Sequence, residues 1–171
     1  WRQQKVFGAV NSTWHEEEAT FSSDGRTLIF ASARPGGRGD LDLWMATRPS
    51  TAVPFDKPTR LGDQINTDAR ESYPAMSFDQ LVLIYSRQPQ AERENGLWMA
   101  TRQSVGDPFV DPQPLKLGDP EMIQLDPALA LNGKLVVFRQ KPRGPSPEQP
   151  FSGHRLYHSE RIPKARREQR E

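Results

Sequence analysis

The chain repeats itself, and a repeat constrains a fold more tightly than composition can. Leu43-Trp44-Met45-Ala46-Thr47-Arg48 returns almost letter for letter as Leu97-Trp98-Met99-Ala100-Thr101-Arg102, and more loosely as Leu156-Tyr157-His158-Ser159-Glu160-Arg161. A period of roughly 55 residues marks stacked units, each burying its apolar faces against its neighbours.

The best-written unit runs from Glu16 to Gly62. Its first strand is expected over Glu16–Ser23, followed by Asp24-Gly25. That dipeptide between two apolar strands predicts a type I′ hairpin, because both residues tolerate positive φ. Thr27-Leu28-Ile29-Phe30-Ala31-Ser32 is continuously apolar rather than alternating, which predicts a strand buried on both faces. A Gly-rich loop, Arg34-Pro35-Gly36-Gly37-Arg38-Gly39, leads to a third strand over Leu41–Thr47, and Pro58–Gly62 makes a short outer one.

The order recurs. Glu71–Ser77, Leu81–Ser86, Leu97–Thr101 and Leu115–Gly118 are the four strands expected of the second unit, with Asp79-Gln80 at the turn. The third unit, 121–161, is degenerate: Gln124–Ala130, the turn Asn132-Gly133, Lys134–Arg139, a Pro-rich loop over 140–150, then a strand around Leu156-Tyr157. Trp1–Gly8 lines up with Phe55–Gly62, as though the chain began on the outer strand of a preceding unit, and Ala9–Thr13 echoes the linker Asp63–Thr67. The charged tail, 162–171, has no apolar stripe and predicts a frayed helix or a disordered end.

Four short antiparallel strands per unit, buried on both faces, predict an all-β fold: a partial β-propeller of four-stranded blades. About three blades are present, whereas propellers use roughly 4 to 8. The chain opens on Trp1 rather than Met, so the expectation is a fragment whose remaining blades lie upstream in the same chain. The alternative is a six-bladed ring assembled from two copies. If the ring closed on itself, Trp1–Gly8 would pair beside Leu156–Arg161.

The motifs carry a family resemblance. Glu-x-x-(Pro)-x-apolar-Ser-x-Asp-Gly, an apolar strand, Arg-Pro-Gly-Gly-x-Gly and Asp-Leu-Trp-Met-Ala-Thr-Arg together resemble the TolB-type, WD-repeat-like β-propeller repeats of bacteria. The likeness spans residues 1 to 161 and weakens in the third blade, where Tyr157 replaces Trp and the Gly-Gly loop is lost. It implies a module that docks proteins or small ligands at channel mouths and loops, in a periplasmic or extracytoplasmic setting, sometimes downstream of a kinase domain. No H-R-D or D-F-G string is present in these residues.

Composition narrows the partners. A net charge of +1 over 171 residues lacks the basic footprint of a nucleic-acid binder. No apolar run approaches the ~20 residues of a membrane-spanning helix. With no Cys there are no disulfides, thiolate metal sites or Cys nucleophiles.

Several repeated residues invite a chemical reading. Asp24-Gly25, Asp79 and Asn132-Gly133 hold one place in each unit and read as turn residues bonding their own backbone rather than as metal ligands. Trp44, Trp98 and Tyr157 could stack sugars or bases, but read better as inter-blade core. Arg38-Gly39-Asp40 spells an adhesion tripeptide inside the Gly-rich loop. Asp40 and Asp42 are too few oxygens for calcium and favour a local cap. His154 and His158 lack a third ligand to bind zinc, and His15 has no partner. No metal or other cofactor is expected, and no G-x-S-x-G elbow or H-E-x-x-H occurs.

Glu16, Glu71 and Gln124 start the three first strands, which in propellers of this family lie nearest the channel. They are the candidate ligand-binding set, for a ligand or peptide carrying positive charge. The competing reading is that they satisfy backbone groups at the strand starts. The functional expectation is a non-catalytic interaction or sensing module. A propeller hydrolase or lyase with its catalytic residues in missing blades is the first alternative, and a structural spacer the second.

Overall fold

The computed structural model describes residues 8–88, 95–117, 119, 122–130, 135–142 and 155–159. Among these residues eleven strands build three antiparallel sheets. The first holds β1 (Glu16–Phe21), β2 (Thr27–Ser32), β3 (Asp42–Thr47) and β4 (Thr59–Arg60) in that order. The second repeats the order with β5 (Arg70–Met76), β6 (Val82–Gln88), β7 (Gly96–Thr101) and β8 (Val110–Leu115). The third contains β9 (Met122–Ala130), β10 (Leu135–Pro142) and β11 (Arg155–Ser159). Trp1–Phe7, Asn132-Gly133, the side chain of Tyr157 and the tail lie outside the described residues.

Register proves the repeat residue by residue. Trp44 pairs with Phe30, Trp98 with Tyr85, and Tyr157 with Phe138, so the three aromatic positions are equivalent. Alternation of side chains along β2 sends Ile29 and Ala31 to the second sheet, where they pack with Leu83 and Tyr85. Leu28, Phe30, Trp44 and Ala46 pack on the opposite face of the first sheet. The same alternation in β6 gives Ile84 to the third sheet, against Val136 and Phe138. Central strands buried on both faces explain the unbroken apolar runs.

Three expectations need correction. The turn after β1 is not type I′, because Gly25 takes a positive φ (66°) while Asp24 does not. Ser22 reorganises it. Its carbonyl accepts from Gly25 N at 2.9 Å, and its hydroxyl accepts from Thr27 N at 2.8 Å while donating to Asp24. The loop is thereby longer, with one left-handed residue instead of two. Gln80 takes that place in the second sheet (φ 63°), with Ser77 in the role of Ser22.

The outer strand of the second sheet runs over Val110–Leu115, not Leu115–Gly118. Leu97 pairs with Leu115 as Leu43 meets Leu61, but the pairing extends backwards to Val110. Pro112 and Pro114 are tolerated there because the strand is an edge. The corresponding strand of the first sheet shrinks to Thr59–Arg60.

Candidate functional site

Charged side chains of the described residues gather in three places. The first lies where each inner strand begins. Glu16 accepts from Ser12 N and from the Ser12 hydroxyl, and pairs with Arg34 at 3.0 Å. Glu71 accepts from Thr67 N at 3.1 Å and the Thr67 hydroxyl at 2.6 Å, and pairs with Arg87 at 3.1 Å. Arg34 also donates to Val10 O, and Arg87 to Gln64 O and Ile65 O, so each guanidinium ties the linker entering its sheet.

Each guanidinium lies over aromatic rings. Arg34 is 4.9 Å from the Phe30 ring and 5.2 Å from Trp44, and Arg87 is 4.0 Å from Trp98. Acid, base and indole thus meet as a latch in both sheets, although the base differs in register: Glu71 lies opposite Arg87, whereas Glu16 lies opposite Ser32 and is met by Arg34 from beyond the strand. The two environments differ. Burial works to raise the Glu16 carboxyl, but the Ser12 and Arg34 bonds outweigh it and hold the group below its ordinary value. Glu71 is fully buried, and there burial wins, raising its pKa despite Thr67 and Arg87. Gln124 occupies the same register position in the third sheet, opposite Gln140 as Glu71 is opposite Arg87. It donates to Asp119 O at 3.0 Å and Met122 O at 3.1 Å. All three members of the candidate set are therefore turned towards the protein's own backbone and linkers.

The second place is the Gly-rich loop. Asp42 is buried, its Oδ2 accepting from Arg38 N at 2.8 Å and Gly39 N at 3.2 Å. Burial raises its pKa. This is the cap expected of Asp42, while Asp40 points to solvent. Arg38 pairs with Asp68 of the next linker at 2.9 Å. Beside it, a Cβ on Gly39 would fall 1.6 Å from the Ala69 carbonyl oxygen, so only glycine permits that approach. Asn66, fully buried, completes the joint: Leu43 N donates to its Oδ1 at 2.7 Å, and its Nδ2 donates to the carbonyls of Leu43 and Leu61.

The third place was missed in the sequence. Every inner strand carries a bulge: Glu18-Ala19 oppose Phe30, Tyr73-Pro74 oppose Tyr85, and Asp126-Pro127 oppose Phe138. The leading residue of each is left-handed, with φ of 56° at Glu18, 51° at Tyr73 and 53° at Asp126. Such bulges bend the strand and redirect side chains. Tyr73 N, released from its own ladder, donates to the Glu18 carboxylate at 2.9 Å. Arg70 pairs with Glu17 at 2.6 Å, and Arg139 with Asp126. Burial, then the neighbouring Glu18, pushes the Tyr73 hydroxyl up to about 12, and burial raises Glu18 itself. β1, β5 and β9 are neighbours, so these half-exposed side chains form a polar row along the inner edge of the assembly. Pro74 and Pro127, unusual inside a strand, were the available signal.

At the opposite end of the sheets, the closing arginine of the repeated string has a use. Arg48 donates to Gly25 O at 2.8 Å and lies 4.3 Å over Phe55; Arg102 donates to Gln80 O at 2.7 Å and lies 4.4 Å over Phe109. Asp24 and Asp79 accept from backbone N–H groups two residues on, the expected turn role. Trp98 packs against the core between the first and second sheets, whereas Trp44 lies on the opposite face of the first sheet with Val10, Phe30 and Phe55. Among the described residues no three of His, Asp and Glu cluster as a metal site. No helix there is long and apolar enough to cross a membrane.

Comparison with solved structures places this architecture. TolB from Acinetobacter baumannii superposes with a TM-score of 0.53 at 14% identity, over 84% of this chain and 29% of that one. An alpha-L-arabinofuranosidase from Lactobacillus brevis gives 0.58 at 13%, over 85% of this chain and 52% of that one. The sheets are β-propeller blades. The chain spans under a third of the TolB and about half of the arabinofuranosidase. No family model and no curated protein matches its sequence. At these identities the likeness concerns fold alone, and the two proteins named differ in what they do.

Proposed function

We propose that this propeller segment is a non-catalytic interaction or sensing module, which docks a protein or small ligand along the inner edge of its blades. One observation carries the reading: the acids and bases best placed for chemistry are consumed, in both of the first two blades, by Glu–Arg pairs that hold linkers and turns. A catalytic centre needs an asymmetric constellation aimed at one reacting atom. A repeated Glu–Arg–Trp latch with its lone pairs filled by Ser12, Thr67 and arginine serves a framework instead.

The binding surface in this reading is the row Glu17, Glu18, Arg70, Tyr73, Asp126 and Arg139. It is partly exposed, of both charge signs, and set on bulged rigid strands. Replacing Arg70 and Glu17 together with alanine should leave the melting temperature nearly unchanged, since the pair is over a third exposed. The same change should abolish binding of a partner recovered by cross-linking to the intact protein. Turnover of a polysaccharide or peptide by the intact protein, lost when Glu18 or Asp126 is made amide, would overturn the proposal in favour of a propeller hydrolase or lyase.

A further inference from the structure

At the joint between the second and third blades the Glu–Arg latch is gone, and what replaces it is neutral. Glu71 becomes Gln124 and Arg87 becomes Gln140 at the same register. Both charges are exchanged together, as burial of a lone charge would demand. Gln124 donates to the carbonyls of Asp119 in the linker and Met122 at the start of its own strand, much as Arg87 donates to linker carbonyls in the second blade. This explains the amide at Gln124, because a carboxylate has no proton to donate.

Gln140 is left over. It is fully buried, and neither its Nε2 nor its Oε1 has a hydrogen-bond partner. It shares a face of β10 with Val136 and Phe138, which pack against Ile84 of β6. Ser86 shares the face of β6 with Ile84, is equally buried, and has an unpartnered hydroxyl. Asn95 Oδ1, also unpartnered, precedes Gly96, whose free side faces Gln124 Oε1. Unsatisfied polar atoms are rare in folded interiors. Among the described residues, four of the ten such atoms, on Gln140, Ser86 and Asn95, belong to strands or strand ends of these two blades.

We propose that this joint is a binding site for a small uncharged hydrogen-bonding molecule, water in the isolated protein, held by the Gln140 amide and the Ser86 hydroxyl with Asn95 at its edge. The guest must both donate and accept, since Gln140 presents one donor and one acceptor group. It must be neutral, because the counter-charge that Glu71 supplies in the preceding joint is missing. Size agrees: glutamine is shorter than arginine, and the difference is on the order of one water molecule.

The sign of two substitutions tests this. With a shared guest, Ser86→Ala and Gln140→Leu each lower the melting temperature, and the double variant loses less than the sum of the two. If the joint is dry, removing orphaned polar atoms raises it; if the two groups hold no common guest, the losses add. Either result overturns the proposal. Independently of how the variants fold, the wild-type protein should show a nuclear Overhauser contact between long-lived water and the Gln140 side-chain amide protons. Absence of that contact, or selective protection of the wild type by millimolar guanidinium or ammonium ion, which would indicate a charged guest, sinks it.

Discussion

The guanidinium of Arg87 lies 4.0 Å above the Trp98 ring while its Nε donates to Glu71 at 3.1 Å. Indole, base and acid come from three strands of one sheet, and the outer nitrogen reaches back to the linker from the previous blade. Breaking this buried pair by Arg87→Met leaves the fully buried Glu71 carboxylate without its cation. The expected cost is about 3–5 kcal/mol, the range for orphaning one partner of a buried pair. Arg87→Lys should recover only part of it, since an ammonium cannot stack on the ring and fork to two carbonyls together. Urea denaturation of the three proteins measures both effects.

Glu16 and Glu71 occupy equivalent positions with pKa values shifted oppositely, so their pH dependences should oppose each other. The Glu16 carboxyl lies below its ordinary value; its stabilisation is present above the unfolded pKa and lost as pH falls through the folded one. The penalty for Glu16→Gln should therefore shrink on acidification. Glu71 lies above its ordinary value; protonation favours the folded state, and that advantage disappears as pH rises through the folded pKa. The penalty for Glu71→Gln should therefore be larger in acid than at neutrality. Melting curves of both variants and the wild type, from about pH 3 to about pH 7 to bracket the ordinary glutamate range, would show two trends of opposite slope. Parallel trends would refute the assignment of burial as the dominant influence on Glu71.

Glycines in this chain are not alike. Gly39→Ala would drive a methyl group into the Ala69 carbonyl, which is backbone and cannot swing away. The blade junction must open, and a loss of about 2 kcal/mol or more is expected, at the upper end of ordinary point mutations. Gly62 has open space around its missing side chain and no left-handed φ. Gly62→Ala should be neutral or stabilising by up to about 1 kcal/mol, through the unfolded chain. Thermal melts of the pair separate a glycine required by packing from one that is merely present.

How much of this was legible depends on whether a feature has a local cause. β2 is readable to the residue, because Leu28–Ala31 is apolar without a break and polar Thr27 and Ser32 flank it. The Asp42 cap and the turn bonds of Asp24 and Asp79 have short-range causes, since each carboxylate accepts from backbone N–H groups a few residues away. The bulges have no such cause: Glu18, Tyr73 and Asp126 adopt left-handed φ without being glycine or asparagine, so the tertiary fit of inner strand to facing aromatic decides them. β8 was misplaced because Pro112 and Pro114 argue against a strand locally, while its edge position tolerates them. Nor could the latch be read, since Glu71 and Arg87 meet only once β5 and β6 pair. The candidate set Glu16, Glu71 and Gln124 was found as a pattern, but its surroundings required the fold.

The paired exchange in the third blade can be run backwards. Gln140→Arg alone buries a guanidinium opposite the neutral Gln124 rather than a carboxylate, and Gln124→Glu alone buries a carboxylate while removing the amide donor to Asp119 O and Met122 O. Each should destabilise by roughly 3 kcal/mol or more, the scale of an uncompensated buried charge. Made together they recreate the arrangement of Glu71 and Arg87, with the arginine able to donate to the linker carbonyls that Gln124 now serves. The double variant should then lie well above the sum of the singles, with a coupling of about 1–3 kcal/mol of the kind found between contacting residues. Denaturant midpoints of the four proteins close the cycle. Additive losses would mean that the third joint differs from the second in more than the identity of these two side chains, and that register equivalence alone does not transfer the latch.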